Sequence, residues 1–486
     1  MSKLIHQKSV AGRIGVSLPT TKLSQDQRDS LIPETFRRSE SPSLPEVSEG
    51  DVMRHYIALS VDNFHIDKGF YPLGSCTMKY NPKRNDTVAF HRFLRESHPQ
   101  APVDHTQGSL RILFELQELI GEITGFDNVS LQPVAGAQGE MTGISIMRAF
   151  HEHLGAPRRK ILIPDSAHGT NPATVTLSGF QPVEIRSNKR GILSAATVKE
   201  ALDKDTAGVM ITNPNTLGLF ESEILEIVEA VHSAGALLYM DGANLNAQLG
   251  VVRPGEIGFD MLHINMHKTF STPHGGGGPG AGALCVNSRL EPFLPRPIVS
   301  KRESKSGDNS SEFYLDLDRP LSIGRVHSFY GNFSNLVRAW AYIRTLGAVG
   351  LSRVTENAII NANYLRCLLS EAYEIPYPGI CQHEVVVSAI KQKRKGARAA
   401  DISKRLLDYG YHSPTTYFPL IVAEAMMIEP TETESRETLD SFAEAMIAIA
   451  KEIDENPELV RTAPHNTSIK RLDEGKAARE LDVALL

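Results

Sequence analysis

Between residues 160 and 287 the chain alternates short apolar runs with amphipathic stretches, and few folds accommodate that alternation. The runs are KILIPD (160–165), VEIRS (183–187), GVMITNPN (208–215), ALLYMDGAN (236–244), MLHINMH (261–267) and AGALCVN (281–287). Each has strand length, and each closes in polar or small residues, as a buried strand does where it leaves its sheet. Residues 221–234, ESEILEIVEAVHSA, have the spacing of a crossover helix. Earlier, LRILFELQELIGEIT (110–124) repeats Leu110, Leu113, Leu116, Ile120 and Ile123 at helical intervals. Strand and helix in alternation predict a mainly parallel α/β sheet with right-handed crossovers. Such sheets bind ligands at the carboxyl ends of their strands, so the chemistry is to be sought where these runs end.

The chain has 486 residues, more than one ordinary core can organise. Residues 1–64 are polar and Ser/Pro-rich and read as an N-terminal extended arm. Residues 65–345 form the large ligand-binding domain. Residues 346–455 form a smaller C-terminal α+β domain, and 456–486 a tail. The small domain comprises a long helical stretch (352–373), VVVSAI, a Lys/Arg-rich turn, a further helix, the apolar run YFPLIV and a final helix near 433–453. The net charge of -6 has no basic stripe beyond residues 391–398, which argues against a nucleic-acid partner. Cys76, Cys285, Cys367 and Cys381 lie far apart, so neither a zinc site nor a disulfide framework is expected, and no metal is assigned. No run reaches the length of a membrane span. MSKLIHQKSVAGR has the character of neither a signal nor a transit peptide, and the expectation is a cytoplasmic protein.

Five polar clusters sit at strand ends. Asp241 closes ALLYMD, with Ala243 beside it. A carboxylate at the end of a buried strand needs a cationic partner or caps the next helix. The functional alternative is that it holds a protonated pyridine nitrogen, which makes pyridoxal phosphate (PLP) an electron sink. Lys268 follows strand MLHIN 27 residues later, ahead of the run His274-Gly275-Gly276-Gly277-Gly278-Pro279-Gly280. It is either an exposed lysine in a turn or the lysine that links covalently to the PLP aldehyde. Gly136, Ala137 and Gln138 open a helix after VSLQPV, where exposed N–H groups and the helix dipole favour a phosphate. His168 follows KILIP in SAHGTNPA and is placed to stack on a ring. Asn213, in the Asn213-Pro214-Asn215 cluster, takes a ring-contacting or turn role. In the order phosphate turn, stacking His, Asn-Pro turn, Asp, Lys, these clusters point to a PLP-dependent aspartate-aminotransferase-like enzyme, fold type I.

Five segments, YPLGSCTMKYNP, GAQGE, SAHGTNPA, MDGANLNAQ and INMHKTFSTPHGGGGPG, resemble the glycine cleavage system P-protein family from about residue 65 into the C-terminal tail. Members occur as one chain of about twice this length or as two subunits, and this chain resembles the PLP-bearing half of the split form. The resemblance implies glycine decarboxylation, with the aminomethyl group passed to the lipoyl arm of H protein. It also implies a companion first subunit in an α2β2 assembly. PLP would be carried on Lys268, with Asp241 at the pyridine nitrogen and His168 on the ring. Gly136, Ala137 and Gln138 would face the phosphate, with Thr269 adding to them. Ser75, Cys76, Thr77 and Lys79 are expected to approach the site, and Asn332 and Ser413-Pro414-Thr415-Thr416 to border it. Two rivals remain: another PLP lyase or a desulfurase, for which Cys381 is the loose candidate nucleophile, and a non-catalytic partner subunit.

Overall fold

The computed structural model describes residues 3–40, 42–97, 101–274, 280–303 and 311–481. The chain divides into two units, Phe70–His465 and Met1–Gly69 together with Asn466–Leu486.

The first unit is built on a seven-stranded sheet. Its strands are β1 (Asn128–Ser130), β2 (Lys160–Pro164), β3 (Gln181–Ile185), β4 (Thr206–Thr212), β5 (Leu237–Asp241), β6 (Met261–Asn265) and β7 (Gly282–Val286), in the order β1-β7-β6-β5-β4-β2-β3. β2 to β6 are parallel to their neighbours, whereas β7 runs antiparallel to β6 and β1 antiparallel to β7. AGALCVN is therefore a strand, as its composition predicts, but not a parallel one. Among its described residues the link from β6 holds the single helical turn Met266–Thr269, and an antiparallel return needs no crossover helix.

Every residue of β4, β5, β6 and β7 is buried, which is why the sequence shows unbroken apolar runs and not an alternating pattern. Alternate residues of β5 serve opposite faces: Leu238 and Met240 join one core cluster, Leu237 and Tyr239 another. Helix Gln107–Thr124 covers the first face with Leu110, Leu113, Leu116 and Ile120, and helix Gly136–His153 covers the second with Ile144 and Met147.

A second layer follows the helical segment Phe333–Leu369. That segment is interrupted at Gly347, whose φ of 60° and ψ of -175° lie outside helical geometry and suit only glycine. β10 (Val385–Ser388), β11 (Thr415–Thr416) and β12 (Ala425–Ile428) form an antiparallel sheet in the order β10-β12-β11, after the hairpin β8 (Ile298–Glu303) and β9 (Ser311–Asp316). Helices Ala399–Asp408 and Arg436–Glu455 complete its core. The run YFPLIV is not one of these strands. Pro419 interrupts it and donates no N–H, and the neighbouring strand is AMMI, four residues after Ile421.

The other unit is not uniformly extended. It contains helices Gln25–Leu31 and Glu49–Asp62, each opened by a capping box, Ser24 with Gln27 and Ser48 with Asp51. Among the described residues no helix is long and apolar enough to cross a membrane.

Leu238 is wholly buried at the centre of β5. Leu238→Ala should destabilise the fold by about 2–5 kcal/mol, measured as an earlier unfolding transition in denaturant. An unchanged transition would place the core elsewhere.

Candidate active site

The register of the central strands brings the polar ends together. Asp241 ends β5 directly beside His263 of β6, and β6 runs on through Asn265 into the turn that carries Lys268. The N-terminus of helix Gly136–His153 faces the same point, as do the end of β4 at Thr212 and the loop after β2 at His168. Together they line a cavity of about 200 Å³. Of the residues expected from sequence, Gly136, Ala137, His168, Asp241, Ala243 and Lys268 line this cavity, and so does Ser75.

The Asp241 carboxylate is 2% exposed and fully engaged. Oδ2 accepts from Asn171 Nδ2 at 3.0 Å, and Oδ1 accepts from the Ala243 N–H at 2.9 Å and lies 3.2 Å from His263 Nε2. Burial alone would raise its pKa, but His263 and the hydrogen bonds outweigh burial and hold it well below the ordinary carboxylate range. Burial likewise pulls His263 down, and the Asp241 charge prevails and raises it. His263 Nδ1 is 2.9 Å from the Tyr239 hydroxyl, which reaches the Gly139 carbonyl at 3.3 Å on the adjacent helix. The result is an ionised carboxylate aimed into the cavity and buttressed from behind.

The other histidines are held neutral. Burial, then the neighbouring His274 and Lys268 charges, push His267 down to about 3. Burial lowers His168, against the pull of Asp241 and Glu140. Its Nδ1 sits 3.0 Å from Thr170 Oγ1, and its ring meets Phe418 edge-on at 5.5 Å.

These groups fit PLP. Lys268 would supply an amine for the aldehyde, and Asp241 an anion for the pyridine nitrogen. The first-turn N–H groups of an 18-residue helix would supply donors for the phosphate. Gly136 leaves room for the Asn265 side chain there, since an ideal Cβ would lie 2.8 Å from Asn265 Cγ and displace it. Buried polar atoms without partners among the described residues line the space, among them Asn265 Oδ1, His267 Nδ1 and Thr212 Oγ1.

Other expected residues take different places. The Gln138 side chain bridges the Val134 N–H and the Val326 carbonyl, at 2.9 and 2.7 Å, leaving only its backbone N–H for a ligand. Asn213 sits behind the wall, its Oδ1 accepting from the Glu221 N–H at 3.2 Å. The Thr269 carbonyl accepts from Lys79 Nζ at 3.0 Å. Asn332 donates to the Gly280 carbonyl at 3.1 Å and borders a separate cavity of about 380 Å³. Thr415 Oγ1 donates to the Gly74 carbonyl at 2.8 Å, bracing the loop that carries Ser75. Residues Gly275 to Pro279 of the glycine run lie outside the described residues. Sequence reasoning missed Glu140, Thr170, Thr212, Thr216, His263, Asn265 and His267, which also line the cavity. Position at strand ends could have found Thr212 and Asn265. His263 lies mid-strand, where nothing in the sequence separates it from core.

Cys381, the nucleophile a desulfurase would need, is 4% exposed, and burial pushes its thiol up to about 12. That environment does not suit a reactive thiolate.

The sheet order and the lysine turn after β6 define a fold type I, PLP-enzyme architecture. Residues 142–306 match the class-V aminotransferase family and residues 354–470 the glycine dehydrogenase C-terminal domain. A solved glycine decarboxylase (P-protein) of the glycine cleavage system, in inhibitor-bound form, shares the fold with a TM-score of 0.75. Its identity is 21%, over 89% of this chain and 99% of that one. A relative from Shouchella clausii is 54% identical over 478 residues, 98% of this chain and 96% of its own length. Another from Chlorobium phaeobacteroides is 54% identical over 482 residues, 99% of each chain. Both are named probable glycine dehydrogenase (decarboxylating) subunit 2. The chain belongs to the glycine dehydrogenase (decarboxylating) subunit 2 family.

Gly136→Ala should weaken PLP binding, measured by titration of the apoprotein; unaltered affinity would remove this helix end from the cofactor site. The Asp241–His263 pairing carries its own pH signature. Asp241 is depressed, so its contribution holds above the unfolded pKa, about 4, and is lost as pH falls further; His263 is raised, so its contribution holds below about 6.5 and is lost as pH rises through its folded value. The melting-temperature difference between wild type and His263→Gln should therefore peak between those limits and shrink at alkaline pH. A difference independent of pH would mean that the two do not pair as ions.

Proposed function

We propose that this chain carries PLP on Lys268 and, as one half of a two-subunit glycine decarboxylase, releases CO2 from glycine. The remaining aminomethyl group passes to the oxidised lipoyl arm of H protein. The observation that carries this reading is the 54% identity, over 98% of the chain, to a relative named for glycine decarboxylation. The placement of Lys268 and Asp241 on one cavity agrees with it.

PLP, when bound, supplies an electron sink for the pair that departing CO2 leaves at the glycine α-carbon. The chain's own residues prepare that chemistry. Asp241, kept ionised by His263, Asn171 and the Ala243 N–H, presents its charge to the pyridine nitrogen and holds a proton there. The Gly136, Ala137 and Gln138 N–H groups receive the phosphate at the positive end of their helix dipole, with the Thr269 hydroxyl as a further donor. His168, its Nδ1 fixed by Thr170, sets one face against the ring. Asn213 keeps the turn after β4 in place behind the pocket.

The partners in this reading are a first subunit of similar size in an α2β2 assembly, lipoylated H protein and glycine. Neither a nucleic acid nor a membrane is involved, and the compartment is the cytoplasm. The test is exchange of labelled CO2 into the glycine carboxyl with H protein supplied. The chain with its companion subunit should exchange, Lys268→Ala should abolish it, and the chain alone should give little. Full exchange by the Lys268→Ala assembly would overturn the lysine assignment. Full exchange by the single chain would overturn the split-site reading.

A further inference from the structure

Behind the Lys268 cavity lies a second set of ionisable groups that the cofactor contacts do not use. Glu384 immediately precedes β10, and Glu429 immediately follows β12. Both are 0% exposed, as is His383. β10 and β12 pair antiparallel with Val385 opposite Ile428, so the two acids emerge side by side from one end of that sheet. Each carboxylate accepts from the loop that walls the cavity. Glu384 Oε2 takes the Ser75 N–H at 2.8 Å, and Glu429 takes the Thr77 N–H at 2.7 Å and the Thr77 hydroxyl at 2.6 Å. Ser75 and Thr77 hold positive φ values of 60° and 48°, a conformation that costs energy in residues with a Cβ and persists only where partners impose it.

The opposite side of the cluster is unsatisfied. His383 Nε2 stands 3.7 Å from Glu384 Oε1 and 4.0 Å from Glu429 Oε1, beyond hydrogen-bond reach. Among the described residues Glu384 Oε1 and both His383 nitrogens have no hydrogen-bond partner. Two carboxylates this close, both desolvated, do not both ionise. Burial raises Glu429 to about 7, against the bonds from Thr77. Burial, then the Glu429 charge, raises Glu384 further. Burial and the Lys268 charge hold His383 down at about 3, so it brings no positive charge of its own. The ionisable groups facing the pair are Lys268, Lys79 on the Glu429 side, itself paired with Glu432 at 2.9 Å, and the Cys76 and Cys381 thiols, both raised and so uncharged. Lys268 itself also faces His168, His263, His267 and His274. Three of these are shifted toward neutrality, His263 is matched by Asp241, and Glu140, which accepts from Thr170 at 2.8 Å, stands toward His168 and His263; the acid pair supplies the negative charge behind the Ser75 loop.

We propose that Glu384 and Glu429 share one proton and act as positioning residues, placing a single negative charge behind Ser75 that keeps the Lys268 nitrogen protonated in its link to the cofactor. The inference rests on the assignment of PLP to Lys268.

The test is a pH titration of the visible band of the PLP-loaded full chain, assembled with its companion subunit, together with infrared spectra of the same samples. Glu384→Gln removes the shared proton but leaves Glu429 ionised, so the band's midpoint should stay while a buried carboxylic-acid C=O band disappears. The double variant Glu384→Gln/Glu429→Gln removes the charge, and the midpoint should fall by about one pH unit, a tenfold change in proton affinity. A merely structural role would move both variants alike. An unmoved midpoint in the double variant overturns the proposal. If the double variant does not fold, the single variant decides: loss of the acid band at a constant midpoint supports the proposal, and an unchanged infrared spectrum overturns it. If wild type shows no band attached to Lys268, the cofactor assignment has failed, and the infrared comparison still decides whether the pair shares a proton.

Discussion

A carboxylate buried at the end of a wholly buried strand is the constraint that organises this molecule. Asp241 cannot be left unpaired there, since an isolated buried charge is prohibitively costly. Its partners come from three elements: His263 from the neighbouring strand, Asn171 from the helix after β2, and the N–H of Ala243 two residues on. Tyr239 extends the chain from His263 to the carbonyl of Gly139. One network thus fixes the acid and also ties the sheet to the helix whose N-terminus faces the cavity. The spacing between that helix end and the carboxylate is set by packing, and in the proposed reading a ring carrying both a phosphate and a basic nitrogen would span it.

A second constraint joins distant parts of the chain. The loop holding Ser75 is bound to the small sheet by Glu384, Glu429 and Thr415 and to the lysine turn by Lys79. Lys79 is 2% exposed, and its ammonium also reaches Asn246 Oδ1 at 2.7 Å and Glu432 Oε1 at 2.9 Å. Ion pairs this deeply buried stabilise little over an apolar contact but penalise every alternative arrangement in which one charge loses its partner. They pin three segments, separated by hundreds of residues, to one geometry around Lys268.

Much of this was legible in the sequence, for identifiable reasons. Strands β2, β4, β5 and β6 are continuous apolar runs because both faces are covered, and their polar ends announce Asp241, His168 and Lys268. The helix opening at Gly136 is marked by small residues where Asn265 approaches. What stayed hidden depends on register and tertiary pairing. His263 reads as core until β5 and β6 are aligned, and nothing in the sequence brings Glu384 and Glu429 together until β10 and β12 are paired. The sequence shows that Gln138 belongs to the helix opening but not that its side chain turns to Val134 and Val326, leaving its backbone N–H for a ligand. The antiparallel sense of β7 was not visible either, since strand composition does not encode direction.

The most direct test of the account is borohydride reduction of the PLP-loaded protein followed by peptide mapping. The account predicts a single pyridoxyl-modified peptide, containing INMHK, with the label on Lys268. Label on Lys79 or another lysine, or none at all, would contradict it, and the roles given to Asp241, Gly136 and the Glu384–Glu429 pair would fall with it.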